Sequence, residues 1–199
     1  MKAIQTKSQR TLEKILDATE ELLTLHRFDD LSVRQIASTA KVTTGAIYSR
    51  VQNKEHLLSL ILERYHQRTV ERLAYFLEQT SDANLYSTIE LLNHSLIELF
   101  SNNKGVIKTA LTLVRDRRDS ALFNKFKDIY IKVEQRLVEK LKQDGSKHAT
   151  TKAKFSMHLI VSSCREQIIY SEDTRFFKFN KKIFVKELTK SIMSYIKVE

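Results

Sequence analysis

Apolar residues recur along the chain at spacings of three and four, the period of amphipathic helices. Leu12, Ile15, Leu16, Thr19, Leu22 and Leu23 form one stripe, predicting a helix over about 8–26. Thr6 with Gln9 has capping-box spacing, and Ser8 is an alternative cap. Asp29-Asp30 interrupts the pattern. Ser32 starts a short second helix, with Gln35 at capping-box spacing and Ile36, Ala37 and Ala40 facing inward; it ends near Ala40–Lys41. Thr43 caps a third helix, also short, and Val42 and Ile47 are placed as a hydrophobic staple that fixes its entry angle. Asn53 caps a long fourth helix carrying Leu57, Leu58, Ile61, Tyr65, Leu73 and Phe76. Further stripes predict helices near 84–102, 104–116, 119–143, 149–171 and 181–197, with Gly105 and Gly145 at the joints.

Composition narrows the choice to an all-α fold. The 199 residues include 3 Gly and no Pro, where average usage gives about 14 and about 10. Turn-rich sandwiches and barrels and Gly-rich nucleotide loops are thereby excluded. No stretch approaches the roughly 20 apolar residues that span a bilayer, and the opening MKAIQTKSQR has no apolar signal-peptide core. With Cys164 the single cysteine, no intrachain disulfide forms. The expectation is a cytoplasmic protein with no membrane contact. The net charge of +10 is spread unevenly: residues 1–31 carry 5 basic and 6 acidic groups, whereas 32–54 carry Arg34, Lys41, Arg50 and Lys54 and no acid. That acid-free window is either a chance run on a solvated face or the footprint of an anionic partner.

Two short helices joined by a tight turn and buttressed by helix one describe a helix-turn-helix. Its second short helix must enter the major groove, so its outward face must be small or polar near the N-terminus. Here that face reads Thr43, Thr44, Gly45, Ala46, then Ser49 and Arg50, with Ile47 and Val51 as inward anchors. Helix N-termini also attract phosphate, and Ser32 and Lys54 lie at two of them.

Residues 8–65 resemble the DNA-binding domain of the TetR family of bacterial transcriptional regulators. The resemblance rests on LSVRQIASTAKVTTGAIYSRVQNKEHLL at 31–58: Ser32, Ile36-Ala37, Val42, Thr43-Thr44, Tyr48, Val51 and Lys54-Glu55-His56-Leu57. Two positions depart from it, since glycine is common in the family where Lys41 and where His26-Arg27 stand. A non-glycine residue in a left-handed turn costs about 1 kcal/mol. The resemblance implies that Tyr48 and Lys54 clamp phosphates and that Ser32 presents a hydroxyl and a helix N-terminus to a third. It implies that Arg34 reaches a base edge and that Thr43, Thr44, Ala46 and Ser49 face the groove. Tyr48 is alternatively a packing residue, and Arg50 is a base reader or a phosphate-contacting or solvated charge. Lys7 and Arg10 either reach the DNA backbone or form a free basic tail.

The resulting organisation is a helix-turn-helix domain at 1–53, a connecting long helix at 54–80 and a helical regulatory and dimerisation domain at 81–199. By the same resemblance the last two helices pair with their counterparts in a homodimer. Met157, Ile160, Val161, Cys164 and Ile168 make one candidate stripe, and Phe184, Leu188, Ile192 and Tyr195 the other. An ordinary intrachain core is the alternative. A two-fold dimer reaches half-sites about 34 Å apart in a palindromic double-stranded operator. The family's regulatory domain holds a small-molecule effector, and Asn93, His94, Arg115, His158, Arg165, Gln167 and Tyr170 are the polar candidates among apolar runs. Each is alternatively a satisfied core or surface group. Phe176, Phe177 and Phe179 beside Lys178, Lys181 and Lys182 form either an anchored connection or an acidic-partner surface.

An enzyme is not expected. There is no nucleophile elbow, P-loop or HExxH, and the six His residues include no pair at i, i+3 or i+4, so neither metal nor cofactor is expected. Three readings remain: a dimeric repressor released from its operator by a ligand, a helix-turn-helix activator or platform without a ligand, and a helical enzyme or adaptor with a vestigial motif.

Overall fold

The structure is a computed structural model that describes residues 7–117, 121–170 and 179–197, and within them the side chains of all but 114–117 and 121–123. Its helices are α1 (Lys7–Leu23), α2 (Val33–Ala40), α3 (Thr44–Tyr48), α4 (Lys54–Gln79), α5 (Leu85–Asn102), α6 (Lys104–Arg117), α7 (Ala121–Gln143), α8 (Ala149–Ile169) and α9 (Lys181–Lys197), with a 3-10 turn at Phe28–Asp30. Among the described residues no helix is long and apolar enough to cross a membrane. The chain divides into two compact units: 1–66 with 103–119, and 67–102 with 120–199. The all-α expectation is met. The grouping differs from the sequence boundaries, because α6 belongs with the first three helices and α4 is shared between the units.

In the first unit α1 packs against α2, α3 and α6. Its core is Ile15, Leu16, Leu23, Phe28, Leu31, Ile36, Ala37, Ile47, Val51, Leu57, Leu58 and Ile61, all buried. Each large aliphatic there gains about 1.5–3 kcal/mol on leaving water. α1 stops at Leu23, three residues before the predicted end at His26. The amides of Leu25 and His26 fold back to the Leu22 carbonyl at 3.1 and 2.9 Å, and the chain turns so that Phe28 is buried. No positive φ is needed there: among the described non-glycine residues only Lys41 and His148 adopt one. Thr6, the candidate cap, lies outside the described residues.

The turn between α2 and α3 is closed as a Schellman motif. Lys41 takes φ 55° and ψ 46°, its amide reaches Ser38 O at 3.2 Å, and the amide of Val42 reaches Ala37 O at 3.0 Å. α7 ends the same way, with Gly145 at φ 76° and Ser146 N on Leu141 O at 2.9 Å. Glycine fills that slot without steric cost, whereas lysine at the first costs about 1 kcal/mol.

Also in the first unit, Arg64 of α4 faces α1 among Asp17, with which it hydrogen-bonds, Glu13 at 3.4 Å and Glu20 at 3.7 Å. Desolvation opposes its charge, but the bond to Asp17 and the fields of Glu20, Asp17 and Glu13 outweigh it and raise its pKa.

The second unit is built around α5, which is buried on nearly every side and packs against α7, α8 and α9. α4 ends without a basic residue in its own last turn; α7 supplies the cations instead. Arg136 Nη1 donates to Leu77 O at 2.7 Å and to Thr80 Oγ1 at 3.1 Å, and the buried Lys140 donates to Ser81 O at 2.7 Å. These satisfy carbonyls that a helix C-terminus leaves free and meet its negative dipole end.

Gly105 explains why α6 joins the first unit. A Cβ at this position would lie 2.5 Å from the Leu23 carbonyl carbon and oxygen and 2.8 Å from Thr24 N, all backbone atoms. Gly105→Ala is therefore expected to lower stability by roughly 1–3 kcal/mol, read as a shifted midpoint in urea unfolding. An unshifted midpoint would show that α6 does not approach α1 this closely.

Candidate nucleic-acid interface

The interface starts from two caps. The Ser32 side chain accepts the Gln35 amide at 3.2 Å, and Gln35 Oε1 accepts the Ser32 amide and hydroxyl, each at 2.8 Å. This capping box was legible in the sequence; it also means that the Ser32 hydroxyl proton is engaged within the box. Thr43 Oγ1 accepts the Ala46 amide at 3.1 Å and begins α3. Ile47 and Val51 are buried, so the opposite face of α3 points outward.

That outward face is small and polar. Thr43, Thr44, Gly45 and Ser49 are exposed, Ala46 is half-buried, and Tyr48 is 62% exposed, which argues against the packing alternative for Tyr48. Gly45 has no internal reason to be glycine. A Cβ there would meet only Thr43 Oγ1, at 3.9 Å, and its φ is not positive. In a helix glycine costs about 0.5–1 kcal/mol relative to alanine. Arg34 stands exposed on α2 with no carboxylate in the whole 32–54 window to compete for it.

Two of the expected cations hold the fold as well. Arg50 is half-buried: its Nε donates to Ser8 O at 3.2 Å and its Nη1 to Ala46 O at 2.9 Å and Ser49 Oγ at 2.8 Å. It ties the start of α1 to the end of α3 rather than standing free at the groove face, a role that sequence spacing gave no sign of. Lys54 Nζ donates to Asp29 O at 2.6 Å and lies 5.2 Å from the Phe28 ring centroid. Its other two protons remain for an external acceptor. Asn53 Oδ1 accepts the His56 amide at 2.7 Å and caps α4 as expected.

In the second unit the polar candidates scatter. Asn93 and Gln167 are buried; Asn93 Nδ2 donates to Thr189 Oγ1 at 2.9 Å, and Gln167 Nε2 to Phe179 O at 3.0 Å. His94, His158 and Tyr170 are exposed and do not belong to an interior site. Arg165 is half-buried; its charge opposes the burial that pushes the Tyr130 phenol up to about 12. The side chain of Arg115 lies outside the described residues, as do Phe176, Phe177 and Lys178.

The candidate dimer stripes divide in the same way. Met157, Ile160, Cys164, Ile168 and Ile192 are buried within the chain and are core. Val161, Phe184, Leu188 and Tyr195 are half-buried. Sequence reasoning missed Phe155, 46% exposed, whose ring lies 5.0 Å from that of Tyr195, and the half-buried Leu159 one turn on. Phe155 and Leu159 lie one turn apart on α8, and the Phe155 ring meets Tyr195 of α9. Spacing of three and four finds the stripe of greatest burial and passes over the flank beside it.

A capped, groove-width helix with a small outward face, set by a tight turn against a second short helix, defines a helix-turn-helix head. Residues 15–61 match the family described as bacterial regulatory proteins, tetR family. The chain is 27% identical over 141 residues to the uncharacterized HTH-type transcriptional regulator YvkB of Bacillus subtilis, covering 69% of each chain. It is 29% identical over 104 residues to the transposon Tn10 TetC protein of Escherichia coli, covering 52% of this chain and spanning about half the length of that relative, 51%. Among solved structures, the transcriptional regulator FadR of Bacillus subtilis in complex with stearoyl-CoA matches with a TM-score of 0.63 at 19% identity, over 92% of this chain and 97% of that one. The likeness to the tetR family of bacterial regulatory proteins thus lies in the helix-turn-helix head, residues 15–61.

Burial also decides the chemistry of Cys164. With no exposed surface, its thiol is pushed up to about 12 by desolvation. The thiolate fraction at pH 8 is then about one part in ten thousand. Iodoacetamide is expected to leave the native protein unlabelled and to label it fully in urea; native labelling at the unfolded rate would place the thiol at the surface.

Proposed function

We propose that the protein is a dimeric, sequence-specific transcriptional repressor, cytoplasmic and not an enzyme, that a small-molecule effector releases from a palindromic operator. The observation that carries this reading is the outward face of α3, small and free of acids, with a glycine that no internal contact explains. A glycine at the second position of a recognition helix lets the backbone approach base edges and phosphates closely. Tyr48 and Lys54 flank it with donors suited to phosphate, and Arg34 with a guanidinium suited to guanine.

The second unit supports the dimer. Phe155, Leu159, Phe184, Leu188 and Tyr195 offer adjoining apolar positions on α8 and α9 that the chain itself covers only partly. A single five-residue helix makes too few base contacts for specificity, and a two-fold partner doubles them. The effector is suggested by the relatives' form: the FadR neighbour was solved with a bound small molecule.

Selection from random duplexes at about 150 mM salt, where non-specific electrostatic binding is weak, is expected to return a palindrome. Failure to enrich any motif with folded, dimeric protein would sink the reading. Gly45→Ala is expected to fold at least as stably as the parent yet bind the palindrome more weakly. Tyr48→Phe and Lys54→Ala weaken all duplexes alike, Lys54→Ala reducing the salt slope by about 1, while Arg34→Ala and Thr44→Ala each relax preference at one position, by about 1–3 kcal/mol. Because Lys54 also holds Asp29, its variant is compared at matched folded fraction. Phe155→Glu is expected to sediment as a monomer at micromolar concentration and to lose the palindrome; a dimer unaffected by it would move the interface elsewhere.

A further inference from the structure

The helix α9 has three sides. Val185, Thr189, Ile192 and Ile196 are buried in the second unit. Phe184 and Leu188 are half-buried and belong to the flank assigned above to the dimer. Two positions further along a helix is nearly its opposite side, and there stand Lys186 and Lys190, both exposed. One turn before Lys186 come Lys182 and Ile183, exposed on the same side. Phe179 leads into the helix. Its backbone is fixed: the buried Gln167 donates Nε2 to its carbonyl at 3.0 Å. Next to it, Asn180 accepts the Lys182 amide on Oδ1 at 2.9 Å and the Phe184 amide on its carbonyl at 2.8 Å. Even so, Phe179 and Ile183 each keep 54% of their surface in solvent. Positive charge surrounds the pair. From 174 to 186 the sequence carries Arg175, Lys178, Lys181, Lys182 and Lys186 and no acid. Among the described residues Lys181, Lys182 and Lys186 meet no carboxylate, whereas Lys190 pairs with Glu187 at 2.9 Å.

We propose, independently of the regulator reading, that this side of α9 docks the protein on an anionic lipid surface. Phe179 and Ile183 enter the headgroup layer, and Lys181, Lys182 and Lys186 meet the lipid phosphates. Cations alone would suit any polyanion. Two large apolar side chains held in water amid a cationic field gain only where the partner offers hydrocarbon beside its charge. A single exposed helix side gives an acidic peptide no groove to lie in, and a phosphate backbone gives Phe179 and Ile183 nothing apolar to leave water for. A lipid surface supplies both. Lysine stems follow the apolar side chains into the interface while their ammonium groups stay at the phosphates. The lack of a membrane-spanning helix among the described residues has no bearing here, because a helix lying in the interface plane needs no such span.

The test is co-sedimentation of the full chain with vesicles of phosphatidylcholine alone or with about 30% phosphatidylglycerol, at about 100 mM salt. The chain is expected to bind the mixed vesicles and not the neutral ones. Each lysine near such a surface contributes about fivefold in partition. Lys182→Glu with Lys186→Glu is therefore expected to weaken binding more than about tenfold. Lys127→Glu with Lys132→Glu, the same change of charge at exposed positions of α7, is expected to retain most of it. Phe179→Ser with Ile183→Ser leaves the charge intact and is expected to lose about tenfold. All three double variants change exposed residues, and each is expected to keep the parent's melting temperature. No binding to mixed vesicles, equal binding to neutral ones, or equal losses in the α7 and α9 charge variants would each overturn the assignment. Undiminished binding by Phe179→Ser with Ile183→Ser would overturn it too, and would give the surface to an acidic protein or a nucleic acid instead.

Discussion

A five-residue helix does not persist by itself in water, because nucleation costs more than so few backbone bonds return. α3 is such a helix, and the order of the first unit follows from the need to hold it. Thr43 satisfies an amide at its start, Ile47 and Val51 seat its inner face, and Arg50 joins its last turn to the start of α1. Lys54 pins the 3-10 turn that carries Phe28 into the same core. Remove the burial of Ile47 and nothing in the remaining sequence of α3 would keep Thr44, Gly45 and Tyr48 on one surface.

The same economy governs the cations. The formal charge of +10 suggests a polyanion partner, yet several basic groups are occupied within the chain. Arg50, Lys54, Arg136, Lys140 and Lys152 each donate to a backbone carbonyl, and Arg64 answers three carboxylates of α1. A protein without proline and almost without glycine has few ways to end a helix. It ends α4 with arginine and lysine from α7 instead. The informative quantity at the DNA face is thus the absence of acids from 32 to 54, not the total charge.

What the sequence revealed was whatever is decided within a few residues. Caps, the staple and helix spans are contacts at three to five positions, so Ser32 with Gln35, Thr43 with Ala46 and Asn53 with His56 were readable. The left-handed Lys41 was readable as a place where glycine is usual. The bond that Arg50 makes within the chain was not readable, because its partner Ser8 lies 42 positions away and no periodicity reports such a bond. The division of the dimer stripes into core and flank was not readable for a related reason. Periodicity ranks positions by burial and cannot say whether the covering surface belongs to the same chain. Met157, Ile160 and Cys164 proved to be covered by their own unit, while Phe155 and Tyr195, one step around the helices, keep exposed surface.

With three glycines in the chain, each can be asked what it is for. Gly145 takes a positive φ at a helix end, and Gly105 admits the backbone of Leu23 to within van der Waals reach. Gly45 does neither: its φ is ordinary, and the space over it is open. A helix that needs every stabilising contact it can find nonetheless carries its least helical residue at an exposed position. Alanine there would strengthen α3 and add one methyl group to the face. What makes glycine intelligible is a surface that must come closer than a methyl group allows. The neighbouring Thr43, Thr44 and Tyr48, together with an acid-free flank, give that surface the character of a nucleic-acid groove.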